Sequence, residues 1–199
     1  MLRARKGTAD WKRYPRSNNM MNFRISLARL DQLTEIMSLW QKVESWAESG
    51  VGRIWHDYEI SEHAVCSYLA RGELFTLTEN STGGVLGTIM LTEYDPNQCW
   101  ETSCGANALY VQRVVTDRGS AGHGLGRELL NFAEHTASSR NLRFLRLDCD
   151  SERPKLCRVY EEFGFKRVGS AIIAGFNAAL YEKDLGNNQL DAASVVRTR

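Results

Sequence analysis

Three glycines alternate in the run Ala121–Gly126 (AGHGLG), where a strand-like segment hands over to a helix-like one. Upstream, Ala108–Val115 (ALYVQRVV) is apolar and rich in β-branched residues, and the turn formers Asp117, Arg118, Gly119 and Ser120 bound it, so it reads as a mostly buried strand. Downstream, Leu125, Leu129, Phe132, Ala133 and Thr136 recur at helical spacing, with Arg127, Glu128, Asn131 and His135 on other faces. Gly122, Gly124 and Gly126 therefore sit at a helix N-terminus. Lacking side chains, they let backbone N–H groups close on an anion, and the unpaired amides and positive dipole end of the helix favour phosphate there. Arg118, His123 and Arg127 add positive potential. The chemistry on offer is the holding of a diphosphate, although such glycines also serve plain tight turns.

The surrounding elements follow from periodicity. Leu142–Asp148 (LRFLRLD) reads as a second buried strand, on which Arg146 and Asp148 share a face and are expected to form an internal ion pair. Pro154–Phe163 (PKLCRVYEEF) is a short helix with Leu156, Val159, Tyr160 and Phe163 in one stripe, closed by Gly164 and apolar Phe165. Asp31 is expected to cap a first helix through Leu33, Ile36, Met37, Trp40 and Val43; Gly50 and Gly52 break it, and Ser61 opens a second. Glu73–Glu79 and Val85–Tyr94 alternate around the turn Asn80–Gly84, and Lys166–Ile173 and Ala179–Lys183 flank Gly175. The order helix, helix, three strands, helix, strand, helix, two strands predicts an α+β or mixed α/β sheet.

At 199 residues, 43% hydrophobic and 25% charged, the chain suits one folded domain, expected over 22–185, between a flexible basic arm (1–21) and a disordered polar tail (186–199). A net charge of +1, with no long basic face outside the arm, gives no reason to expect a nucleic-acid partner. Membrane anchoring is not expected either, since no apolar run is long enough to span a bilayer. Five cysteines (Cys66, Cys99, Cys104, Cys149, Cys157) without a C-x-x-C pair favour reduced thiols in a cytoplasm, and no metal site is expected from them or from the four histidines. A dinucleotide-binding reading fails on spacing: that fingerprint is G-x-G-x-x-G/A, whereas these glycines alternate strictly and Arg127 takes the third small position.

The strand, the AGHGLG loop, the helix, the next strand and the later YEEFGF segment (Tyr160–Phe165) together resemble the GNAT superfamily of acyl-CoA-dependent N-acyltransferases. Motif-grade similarity runs from about Ala108 to Gly169. The resemblance implies a GNAT fold: a mixed, mostly antiparallel sheet of six to seven strands with about four helices, in which the strands at Ala108 and Leu142 splay apart. It implies acetyl-CoA as cosubstrate, its pantetheine arm along Val114, Val115 and Thr116 and its pyrophosphate on Ala121, Gly122, His123, Gly124, Leu125, Gly126 and Arg127. Two positions depart from the family pattern. Ala121 stands where Gln or Arg is usual, and Arg153 where Asn is frequent, though still expected beside the cofactor. Most loop contacts in that family come from backbone amides, so the change at Ala121 is expected to weaken affinity rather than abolish binding.

The implied reaction moves an acetyl group from a thioester to a primary amine of a small molecule or peptide, by direct attack in a ternary complex. It needs a neutral amine, stabilisation of the developing oxyanion by a backbone N–H near Val115, and a proton for the thiolate. Tyr160 is the expected proton donor, because a phenol of pKa about 10 matches a thiol of about 8.5. Glu93 and Glu101, with Asp95, are the carboxylates expected near the amine as base. Trp40, Trp55, Tyr58 and Trp100, with Trp46, are expected to wall the acceptor pocket, with Glu44, Glu48, Asp57 and Glu59 available to attract a cation. A homodimer is open to such a domain. The alternative function is a GNAT-like module that binds coenzyme A without transfer.

Overall fold

The computed structural model describes residues 23–50, 52–100 and 107–186. Seven strands form one sheet in the order β1-β2-β3-β4-β5-β7-β6. They are β1 (Phe23–Leu27), β2 (Leu74–Glu79), β3 (Val85–Thr92), β4 (Ala108–Thr116), β5 (Phe144–Asp150), β6 (Lys166–Ile173) and β7 (Phe176–Asp184). Four helices join them: α1 (Leu33–Glu48), α2 (Glu62–Arg71), α3 (Leu125–Ser139) and α4 (Pro154–Glu162). All neighbouring strands run antiparallel except β4 and β5.

Alternation along the strands sorts side chains onto two cores. Leu109, Val111, Leu145 and Leu147 face α3 and α4, with Leu129, Phe132, Ala133, Tyr160 and Phe165. Met90 and Val115 face α1 and α2, with Ile36, Trp40, Val43 and Val65. The sheet is thus clad on both faces, which explains why β4 reads as nearly continuous apolar sequence.

Local chemistry sets most boundaries. Ser61 Oγ accepts the Ala64 N–H at 3.3 Å as the cap of α2, and Gly72 ends that helix at φ 68°. Gly164, at φ 100°, ends α4 while the Phe165 N–H returns to the Tyr160 carbonyl at 3.0 Å. Asp31 does not cap α1. It pairs with Arg29 at 2.8 Å, a single 3-10 turn at Leu30–Gln32 leads in, and Gln32 holds the Arg29 N–H at 3.0 Å. The strand β1, absent from the periodicity reading, is too short for a clear alternation and gains its place by pairing with β2.

Candidate active site

β4 and β5 pair through Ala108↔Phe144, Leu109↔Leu145 and Tyr110↔Arg146, then part company while β4 continues to Thr116 and β5 to Asp150. A wedge opens between two central strands, leaving backbone edges without a neighbouring strand. A bulge widens it. Thr88 pairs with Val115 but Met90 with Gln112, so an extra β4 residue is accommodated, and Arg113 takes the left-handed conformation at φ 52°. The bulge is fixed from α1: Trp40 Nε1 donates to Thr88 Oγ1 at 2.9 Å, and Thr88 Oγ1 donates to the Arg113 carbonyl at 3.2 Å. Gly87 makes room, since a Cβ there would lie 2.9 Å from the Val115 carbonyl oxygen and 3.3 Å from Leu129 Cδ1.

β4 leads through Arg118–Ser120 into the glycine loop. Gly122 and Gly124 hold φ of 83° and 77°, conformations that strain any residue with a Cβ. The first bond of α3 runs from the Glu128 N–H to the Gly124 carbonyl at 3.1 Å, so the amides of Leu125, Gly126 and Arg127 lie ahead of the helical ladder. A Cβ built at Gly122, Gly124 or Gly126 would meet no heavy atom within 4 Å, so the loop's backbone faces open space. Ala121, His123 and Arg127 are exposed around it. Arg118 is tied to α1, its guanidinium carbon 3.8 Å from the Trp46 ring centre. This bare helix start beside the wedge fits a diphosphate followed by an extended arm.

From the α4 side, Tyr160 packs against Phe165 and Tyr181 and is only 8% exposed. Among the described residues its hydroxyl has no hydrogen-bond partner. Burial raises its pKa well above the usual phenol value, and the nearby Cys149, Asp148 and Cys157 push the same way. It is therefore held as the neutral, proton-bearing form. Cys149 and Cys157 approach to 3.7 Å between their sulfurs beneath it.

On the opposite face of β5 the expected Arg146–Asp148 ion pair does not form. Arg146 Nε donates to Glu182 Oε2 at 2.8 Å and Nη1 to the Tyr110 hydroxyl at 3.2 Å, with Trp100 4.7 Å over the guanidinium. The partner in β7 lies directly across the register, at Glu182, and wins over the same-strand neighbour. Asp148 Oδ1 instead accepts the Asn97 side-chain amide at 3.0 Å. Burial raises its pKa; Asn97 and Arg113 oppose the rise and Asp95 adds to it. Asp95 shapes the covering loop by accepting the N–H groups of Asn97 at 3.1 Å and Trp100 at 2.8 Å.

The remaining expected residues are dispersed. Glu93 pairs with Arg140 at 2.9 Å, at the far end of α3 from the glycine loop, and Glu101 lies outside the described residues. Trp40 is fully buried core, whereas Trp55 lies over it, ring centres 5.9 Å apart. Tyr58 is 68% exposed and stacks on His56 at 5.5 Å. The four carboxylates expected to attract a cation are each engaged by arginine: Glu44, Glu48 and Asp57 by Arg53, and Glu59 by Arg113 at 2.8 Å. Arg153 bridges outward, donating to Asp150 Oδ2 at 3.1 Å and to the carbonyls of Gly52 and Arg53 at 3.0 and 2.7 Å. It clasps the α1–α2 connection to the end of β5. Asn97 and Arg113 are the residues here that periodicity missed, and Asp148 was found on its strand face but with the wrong partner; for Arg113 no local signal marks the bulge.

The fold and the wedge together define an acyltransferase of the GNAT type. A model of the acetyltransferase (GNAT) family matches residues 33–165, well over half of the chain, and the chain belongs to that family. It is 25% identical over 127 residues to a Bacillus subtilis (strain 168) protein called "Uncharacterized N-acetyltransferase YesJ", covering 62% of this chain and 67% of that one. A GNAT-family acetyltransferase from Listeria monocytogenes 4b F2365 superposes with a TM-score of 0.65 at 23% identity, over 81% of this chain and 94% of that one. YncA of Salmonella typhimurium, solved with its cofactor acetyl-CoA, gives 0.62 at 17% identity over 83% and 95%. Among the described residues no helix is long and apolar enough to cross a membrane.

Proposed function

We propose that the protein transfers an acetyl group from acetyl-CoA to a primary amine of a small molecule or peptide, by direct attack within a ternary complex. The observation that carries this reading is the continuity of the β4–β5 wedge with a helix start whose Gly122 and Gly124 hold positive φ and face open space. Acetyl-CoA supplies the acyl group already activated as a thioester. The amides of Leu125, Gly126 and Arg127, with the loop from Ala121, hold the diphosphate through the helix dipole and direct N–H contacts. The free edge of β4 at Val114, Val115 and Thr116 pairs with the amides of the pantetheine arm, and an N–H at the bulge polarises the thioester carbonyl.

Tyr160, neutral and without a competing hydrogen bond among the described residues, hands its proton to the departing thiolate. The residues 22–185 act as one acyltransferase domain in the cytoplasm. Binding is tested by the thermal shift given by acetyl-CoA. A shift in the wild type that disappears in Gly124→Glu, which sets bulk and negative charge against the diphosphate, is the expected result; an equal shift in both overturns the cofactor site.

A further inference from the structure

The wedge has a second ionisable wall. Leu145, Leu147 and Cys149 face the α3–α4 core, so Asp148 lies on the other face of β5, just past the last β4–β5 pair, Tyr110↔Arg146. It is half-buried and, with Arg146 committed to Glu182, forms no ion pair among the described residues. The nearby Arg113 is bonded to Glu59, and a carboxylate withdrawn from water without a paired cation is costly unless a ligand supplies the charge. Among the described residues its side-chain hydrogen bond comes from Asn97. Tyr160, on α4, lies close enough to feel the Asp148 charge.

We infer that Asp148, held by Asn97, binds the acceptor's ammonium and takes its proton on the side of the wedge opposite Tyr160. The assignment rests on the acetyl-transfer reading. Asp148 accepts one proton, leaving a neutral amine whose lone pair forms the C–N bond to the thioester carbon as the C–S bond breaks. The sulfur takes the Tyr160 proton, the nitrogen's surplus proton returns to the tyrosinate, and Asp148 releases its own proton to water. Asn97 is a positioning residue: its N–H favours the charged carboxylate. The titratable and charged groups beside Asp148 are Asp95 and Cys99 from the covering loop and Arg113 from β4, while Cys149 on β5 and Tyr160 on α4 feel its charge from the other face of the strand. Glu93, bound to Arg140, is not among them.

The test compares wild type, Asp148→Asn and Asn97→Ala in three measurements: amine acetylation from pH 5 to 10, the acetyl-CoA thermal shift, and the denaturation midpoint at pH 4 and pH 7. Asp148→Asn should lose roughly 10²–10⁴ in kcat while keeping the acetyl-CoA shift. Asn97→Ala should move the acid limb of kcat/KM to higher pH and recover at the alkaline plateau. Because the folded pKa of Asp148 is raised, its ionised form disfavours the native state as pH climbs through that value. Asp148→Asn should therefore melt above wild type at pH 7, with the gap shrinking at pH 4. Unchanged kcat and pH profile in Asp148→Asn overturn the assignment alone, as does a lower midpoint at pH 7, which marks a structural role. Wild-type protein inert toward every amine overturns the acetyl-transfer reading and the assignment with it.

Discussion

Trp40 and Thr88 are joined by a buried hydrogen bond of 2.9 Å that ties α1 to the bulge in β4. Both residues are fully excluded from solvent, so the indole N–H has no water to replace a lost partner. Thr88→Val keeps the shape and removes the acceptor, which costs about 1–3 kcal/mol. Chemical denaturation should register that loss. Because the same hydroxyl reaches the Arg113 carbonyl, acetyl-CoA affinity should fall as well.

Tyr160→Phe keeps the ring in its contacts with Phe165 and Tyr181 and removes the proton. Turnover should fall by roughly 10²-fold or more, with the acetyl-CoA thermal shift largely preserved. Since the phenol titrates above its ordinary value, Tyr160 stays protonated throughout pH 7–9, and no loss of wild-type activity in that window should trace to it. Steady-state rates across that range check both points.

Arg153→Ala releases the carbonyls of Gly52 and Arg53 together with Asp150. Faster amide hydrogen exchange over residues 52–57 is expected, with a rise in KM for the amine that exceeds any change for acetyl-CoA. A variant with unaltered exchange would show that the clasp does not hold the connection.

The glycine loop was legible in the sequence because it depends on local facts: a helical stripe that begins at Leu125, and residues that tolerate positive φ just before it. The placement of Tyr160 on the apolar stripe of α4, closed by Gly164, was legible too. The cluster around Asp148 and the α1–α2 connection was not. Its arrangement depends on contacts between segments far apart in the chain, such as Asn97 with Asp148 and Arg153 with Gly52, which no periodicity encodes. The Arg146–Asp148 expectation failed for the same reason, since strand spacing reports a shared face but not the neighbour that β7 brings to Arg146. Trp40 stood at helical spacing as a pocket wall, yet its indole is spent inside the core on Thr88.

Gly126→Asp probes the loop without a positive-φ penalty, because Gly126 is not among the left-handed glycines and a Cβ there meets no neighbour. Stability should change little, while the added carboxylate repels the diphosphate and raises KM for acetyl-CoA several-fold, more at low salt than at high.

Acetyl transfer to an amine is tested most directly by thiol release from acetyl-CoA across a broad panel of primary amines. Amine-dependent release matched by N-acetylated product, lost in Gly124→Glu, is the predicted result. Acetyl-CoA binding without amine-dependent thiol release from any member of the panel would contradict it and make the domain a coenzyme A binding module.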